Sequence, residues 1–148
     1  MIRVADGARA VVTGASSGIG AAIAGKLAAE KVPLVLVARS GGVLSEQAAA
    51  WRERFGADVE VLPLDLSRPG AAAALFEATE GRGRPVDLLV NAAGFGWNGP
   101  QVEFPDGRFL ELLRLNVEAT AGLTHLFLRA MAGRGTGAIL NVASLIFP

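Results

Sequence analysis

An α/β fold built on a doubly wound parallel sheet is predicted by three observations. Five short apolar runs alternate with longer helical patterns along the whole chain. The runs are continuous rather than alternating, as strands buried on both faces of a parallel sheet read. A glycine-rich turn joins the first run to the first helix, and that order implies right-handed β-α-β crossovers.

The elements follow in order. Arg9–Thr13 is the first predicted strand, and the alanine-rich stretch Gly18–Glu30 the first helix. Leu34–Ala38 and Val43–Phe55 form the next strand and helix, and Val59–Pro63 the third strand. A helix is expected over Pro69–Glu80, with Ser67 two residues ahead of Pro69 suited to its start. Val86–Asn91 reads as the fourth strand. Asp106 opens a long helix to Ala132, and Ala138–Val142 is the fifth strand. Gly81–Pro85 and Gly133–Gly137 read as surface turns.

At 148 residues, one domain with a packed core is expected. Formal net charge is zero and no block of like charge stands out, so neither nucleic acid nor an anionic membrane is an expected partner. Cysteine is absent, which removes disulfides, thiolate catalysis and cysteine-held metal, and no metal site is predicted. The start MIRVADGA lacks a signal-peptide pattern, and no uncharged apolar run approaches the ~20 residues that span a bilayer. A cytoplasmic protein is the expectation.

A doubly wound sheet in the order 3-2-1-4-5-6 needs six strands. Here the first three-stranded half is complete and the second has two, so the domain 1–148 reads as truncated after its fifth strand. In the last helix the apolar residues Leu110, Leu112, Leu113, Leu115, Val117, Leu123, Leu126, Phe127 and Leu128 go nearly all round. Such a helix must be covered on every side, by further chain or by a second subunit.

The turn Thr13–Gly20, TGASSGIG, lies between strand and helix, where a pyrophosphate is held on a helix N-terminus. That placement makes the fold Rossmann-like. Gly14 lets the chain leave the strand sharply, Gly18 lets backbone N–H groups approach phosphate, and Gly20 removes a side chain where helix crosses sheet. Ser16 and Ser17 add hydroxyl donors, and Ile19 lies within the same turn. The same turn also occurs in folds that hold no ligand.

The spacing G-x-x-x-G-x-G with Thr ahead and Ser-Ser inside resembles the short-chain dehydrogenase/reductase family, in its N-terminal part. Four later segments extend the resemblance over nearly the whole chain. Asp65-Leu66 matches the acidic position that the family uses against the adenine. Asn91-Ala92-Ala93-Gly94 resembles its NNAG, with alanine for the second asparagine. Asn116 matches its helix asparagine, and Asn141-Val-Ala-Ser144 the segment that carries its catalytic serine. The resemblance implies an NADP- or NAD-dependent oxidoreductase that passes a hydride between nicotinamide and a small carbonyl or alcohol substrate. It implies Asp65, Leu66, Asn91, Ala93 and Gly94 as cofactor residues.

Charge decides between the two nucleotides. Arg39 ends the second strand about twenty residues beyond the turn, where the ribose 2′ position is read. Arginine offers forked donors to a 2′-phosphate, and Ser40 adds a hydroxyl, so NADP(H) is favoured over NAD(H). The alternative is a solvated surface arginine.

Ser144, just past the fifth strand, sits where a neutral hydroxyl can bond a substrate oxygen as charge develops. The alternative is a strand-end cap. For Asn116 the resemblance implies a kinked helix and an ordered water in a proton relay; a core amide satisfied by nearby backbone is the alternative. His125, nine residues on, falls on the opposite face and reads as surface or interface. Trp51 and Trp97 read as packing, while Phe95–Gly99 follows NAAG closely enough to line the substrate side. The family's proton comes from a tyrosine with a lysine four residues later, both beyond the serine. This sequence has no tyrosine, and its two lysines, Lys26 and Lys31, lie far from the fifth strand. The chain alone is therefore expected to bind NADP(H) without turnover. The alternative is a non-catalytic NADP(H)-binding module, or a subunit completed by a partner chain. The Asp106–Ala132 helix resembles the surface through which family members pair, so a homo-oligomer is expected.

Overall fold

The computed structural model describes residues 7–143. Within them five strands, β1 (Ala10–Thr13), β2 (Leu34–Ala38), β3 (Val59–Pro63), β4 (Leu88–Asn91) and β5 (Ala138–Asn141), form one sheet in the order β3-β2-β1-β4-β5. All four pairings are parallel, with Val12 opposite Leu36 on one side and Val90 on the other. This is the 3-2-1-4-5 part of the predicted sheet.

Successive side chains of a strand point to opposite faces, and both faces here are covered. Ala10, Val12, Leu34, Leu36, Leu88 and Val90 pack on one side with Ala24, Leu27, Leu44 and Ala48 from the helices α1 (Gly18–Ala29) and α2 (Gly41–Phe55). Val11, Val35, Val37 and Leu89 pack on the other side against α3 (Ala71–Thr79) and α5 (Thr120–Arg134), which contribute Leu75, Leu123, Phe127 and Met131. That two-sided burial explains why the strands read as unbroken apolar runs. Trp51 packs against the first cluster, as expected of it.

Several boundaries differ from expectation, each for a local reason. The third helix starts at Ala71 and is preceded by Gly70, not by Ser67. The Ser67 hydroxyl donates to Asp65 Oδ1 at 2.6 Å, which commits it to the turn after β3 and leaves it unable to cap. β4 begins at Leu88 rather than Val86, because the Val86 N–H donates to Glu80 Oε2 at 2.7 Å instead of joining the sheet. β1 starts one residue late and β5 stops one residue early. Glu80–Arg82 is a 3₁₀ turn that takes the last residue of the expected helix and the first two of the expected Gly81–Pro85 loop. α5 runs through Gly133 to Arg134, and Gly135 at φ 73° ends it.

The long predicted helix is not one α-helix. It comprises α4 (Asp106–Leu113), a π-helical stretch over Arg114–Ala119, and α5. Its inner face buries Ala119, Leu123, Phe127 and Met131, whereas Leu110, Leu113, Val117 and Leu128 are exposed. Among the described residues, nothing covers the outer face of this helix. No helix there is long and apolar enough to cross a membrane.

Candidate functional site

All five strands are parallel, so their carboxyl ends share one edge of the sheet, and the site lies along it. β1 leaves the sheet at Gly14, whose φ of 66° few side chains tolerate. A Cβ on Gly14 would also stand 2.6 Å from the Ala92 carbonyl oxygen, so the turn packs directly on the chain that follows β4. On Gly20 a Cβ would lie 2.3 Å from the Gly14 carbonyl, which confirms why the helix needs glycine where it crosses the strand end. Ser17 precedes α1 in extended backbone, and its side chain makes no capping bond. Ala21 is the first residue whose N–H reaches back along the helix, to the Ser17 carbonyl at 3.2 Å. The N–H groups ahead of it have no intrahelical acceptor and, with the positive end of the helix dipole, make a seat for an anion.

A cleft of about 310 Å³ opens over this seat. Gly14, Ser16, Ser17, Gly18 and Ile19 form its floor, and Arg39 and Ser40 its rim at the end of β2. Asp65 and Leu66 stand on the far side, with Ala93 and Gly94 after β4. The structure thus brings together nearly all the cofactor residues expected from the sequence. Gly20 does not line the cleft; it is buried against Gly14. Asn91 is turned away: its buried Nδ2 donates to Asn141 Oδ1 at 2.9 Å and to Thr124 Oγ1 at 3.2 Å, tying β4 to β5 and α5. Ser144 lies outside the described residues.

The Asp65 carboxylate organises its own wall. Oδ1 accepts the Ser67 N–H at 3.0 Å as well as its hydroxyl, and Oδ2 accepts from Arg68 Nε at 3.3 Å. The Ser67 hydroxyl above all holds the Asp65 carboxyl below its ordinary range; partial burial opposes it, and the Ser67 N–H, Arg39 and Arg68 add to the lowering. Arg39 is exposed and, among the described residues, forms no ion pair. Its guanidinium is free for an anion at the rim.

Two polar side chains tie together segments that border the cleft. Thr13 Oγ1 accepts the N–H groups of Ala92 and Ala93, at 3.1 and 3.2 Å, and donates to the Val90 carbonyl at 3.3 Å. This buried hydroxyl fixes the NAAG segment to the end of β1, a role that the sequence reading of the turn did not assign. Asn116 makes a second tie: Oδ1 accepts the Phe95 N–H at 3.1 Å, and Nδ2 donates to the Phe95 carbonyl at 2.9 Å. Asn116 is exposed rather than a core residue, yet its amide is satisfied by backbone. It lies within the π-helical stretch beside Leu115, which lines the cleft. Such stretches are frequent at functional sites because they shift side chains out of α-helical register.

The sequence reading did not place Val37, Ala38, Leu64, Ala92, Leu115 or Val142 in the cleft, although all six line it. They are small or apolar and carry no chemical signature. Only a position at or just past a strand end could have marked five of them, and Leu115, in the π-helical stretch, lacks even that. Trp97 is a packing residue, stacked on Phe104 at 4.7 Å, with its Nε1 bonded to the Pro100 carbonyl at 3.1 Å. His125 is exposed. Among the described residues, no cluster of His, Cys, Asp or Glu could hold a metal ion.

Comparison with known proteins agrees with this geometry. The family described as short chain dehydrogenase matches residues 8–146. The chain is 38% identical over 144 residues to a galactitol 2-dehydrogenase (L-tagatose-forming) from Cereibacter sphaeroides, covering 95% of this chain and 54% of that protein. It superposes on a short-chain dehydrogenase from Sphingobium yanoikuyae in complex with NADPH at TM-score 0.87 and 36% identity, over 93% of this chain and 54% of the other. The L-sorbose reductase from Gluconobacter frateurii, complexed with NADPH and L-sorbose, matches at TM-score 0.82 and 38% identity, over 91% of this chain and 51% of the other. The chain spans about half the length of the curated relatives it matches. It belongs to the short-chain dehydrogenase family.

Proposed function

We propose that the chain is the nucleotide-binding portion of an NADP(H)-dependent oxidoreductase acting on a small carbonyl or alcohol substrate. The observation that carries this reading is the single cleft in which the glycine turn, the exposed Arg39 and the Asp65 wall meet. The residues fit a dinucleotide. Side-chain-free Gly14 and Gly20 allow the close approach of turn and helix, and the free N–H groups at the start of α1 are placed for a pyrophosphate. Ser16 and Ser17 add hydroxyls there. Arg39 and Ser40 at the rim would take a 2′-phosphate, and Asp65 an adenine amine. The NADPH complexes of related structures support that choice of nucleotide.

When bound, the cofactor would exchange a hydride with the substrate carbon. The chain's own residues orient the reactants. Ser144, two residues beyond the cleft-lining Val142, would donate its hydroxyl to the substrate oxygen. Asn116 would act by holding Phe95, and with it the Ala93-Gly94 wall. The 148 residues contain no tyrosine to supply the proton, which favours a second reading for this chain alone: binding without turnover, or completion by a partner chain. Pairing of two copies through the exposed Leu110, Leu113, Val117 and Leu128 is part of the proposal.

Titration of the protein with NADPH and NADH, followed by tryptophan fluorescence, tests it. Arg39→Ala is expected to weaken NADPH by about 10- to 100-fold, as loss of charge-assisted bonds does, and to leave NADH within about twofold. Absence of saturable binding by either nucleotide would falsify the cofactor assignment. Carbonyl reduction by a mass-verified 148-residue polypeptide would overturn the expectation of no turnover.

A further inference from the structure

The inner face of α2 is apolar apart from one residue. Leu44, Ala48, Trp51 and Phe55 pack in or against the first core cluster, and Gln47 lies on the same side of the helix. Its amide reaches across to the turn: Nε2 stands 3.5 Å from the Ser16 carbonyl oxygen. Its Oε1 is shielded from solvent and, among the described residues, has no hydrogen-bond partner. A buried carbonyl oxygen without a partner destabilises the fold. Gln47 as a whole is half-buried, so its amide could have faced water, yet the oxygen is held inside without a partner.

Resting on the cofactor reading above, we infer that Gln47 is a positioning residue for the phosphate-binding turn. A trans peptide points its C=O and N–H in opposite directions. By holding the Ser16 carbonyl toward α2, Gln47 turns the N–H of the same peptide, that of Ser17, toward the cleft. It also keeps a carbonyl dipole from facing the phosphates, where it would repel them. Pyrophosphate is common to NADPH and NADH, so the effect of Gln47 is the same on both. That separates it from Arg39, whose effect is confined to the nucleotide with a 2′-phosphate.

The experiment measures dissociation constants for NADPH and NADH, together with thermal midpoints, for wild type, Gln47→Leu and Gln47→Glu. Gln47→Leu removes the donor and the unpartnered oxygen together. It is expected to weaken both nucleotides about fivefold, the effect of one lost hydrogen bond, with a midpoint equal to or above wild type. Gln47→Glu keeps the shape but sets a carboxylate behind the turn, and is expected to weaken both by about tenfold or more. Unchanged affinities in both variants overturn the inference. So does a fall in midpoint with affinity preserved in the folded fraction, which is the mark of a merely structural residue. A changed NADPH-to-NADH ratio would assign Gln47 to the 2′ position instead and overturn it too. Wild type without saturable binding would sink the cofactor reading itself. Should Gln47→Leu not fold, Gln47→Glu decides alone.

Discussion

The strands on the two sides of β1 meet their surroundings differently. β1 and β4 are fully buried, β2 nearly so and the edge strand β3 in part, whereas Ala138 and Asn141 at the ends of the other edge strand, β5, are exposed. α2 hides Leu44 and Ala48, and α1 hides Gly20, Ala24, Leu27 and Ala28, while α4 buries no residue at all. Exposed large apolar side chains gather on the second half, with Leu110 at 50% and Val117 at 59% of full exposure. A shallow hollow of about 370 Å³ also lies open over β5 and the end of α5. The first half thus spends its apolar surface on its own core, and the second keeps much of it outward. What this teaches is where the proposed nucleotide site gets its walls. Its floor and rim come from the closed half, while the open half adds Ala92, Ala93, Gly94, Leu115 and Val142, and Thr13 bonds the two through the N–H groups of Ala92 and Ala93.

The comparison breaks most sharply at two glycines. Gly20→Ala would push a Cβ to 2.3 Å from the Gly14 carbonyl, and backbone on both sides leaves little room to yield. A loss of about 3 kcal/mol is expected, at the upper end of overpacking effects, and nucleotide binding should go with it. Gly133→Ala, near the end of α5, meets nothing within 4 Å and is expected to stabilise by about 0.5 kcal/mol. Urea unfolding of both variants measures the contrast. Equal effects at the two sites would show that the crowding at the turn is not what holds it.

A smaller change in folding, with a larger one in association, is expected on the open half. Leu110→Lys with Val117→Lys puts charge on side chains already half in water, so stability should move by less than about 0.5 kcal/mol. If two copies pair through this face, light scattering should show the assembly dissociate toward monomer. An unchanged mass would free the face for some other cover. The exposed apolar patch still needs one.

The closed half was the more legible in the sequence. β2, β3 and the start of α1 fall where periodicity and glycine spacing put them, because strands buried on both faces and a close helix crossing restrict the residue choice severely. The cleft residues with chemical signatures, Arg39, Asp65 and Ser16 among them, were legible from their charge, their hydroxyl or the family likeness. Contacts that run between distant segments were not. Nothing local says that Asn91 would turn to Asn141, fifty residues away, and at Ser67 two equally local uses compete, a bond to Asp65 and a helix cap. The π-helical stretch was foreshadowed only by the family likeness at Asn116, since a helix apolar nearly all round carries no phase to reveal a shift. Gln47 passed unnoticed because an isolated glutamine in a helix reads as surface.

Asp65 gives the finest test, because its carboxylate belongs to the closed half yet stands partly in water. Hydrogen bonding from Ser67 lowers its pKa on folding. The folded state therefore binds that proton less readily than the unfolded chain. The stabilisation is present above the ordinary aspartate pKa of about 3.9 and disappears as pH falls through the lower, folded value. Asp65→Asn abolishes this titration. With Arg68 well exposed, the pair is worth less than about 1 kcal/mol near neutrality. The expected result is a slightly lower midpoint for the variant at pH 7, and two curves that converge as the pH drops below 4. Curves that stay parallel through that window would mean the Ser67 bonds do not favour the ionised form. The Asp65 wall would then owe its shape to packing by Leu66, which is buried in the second core cluster.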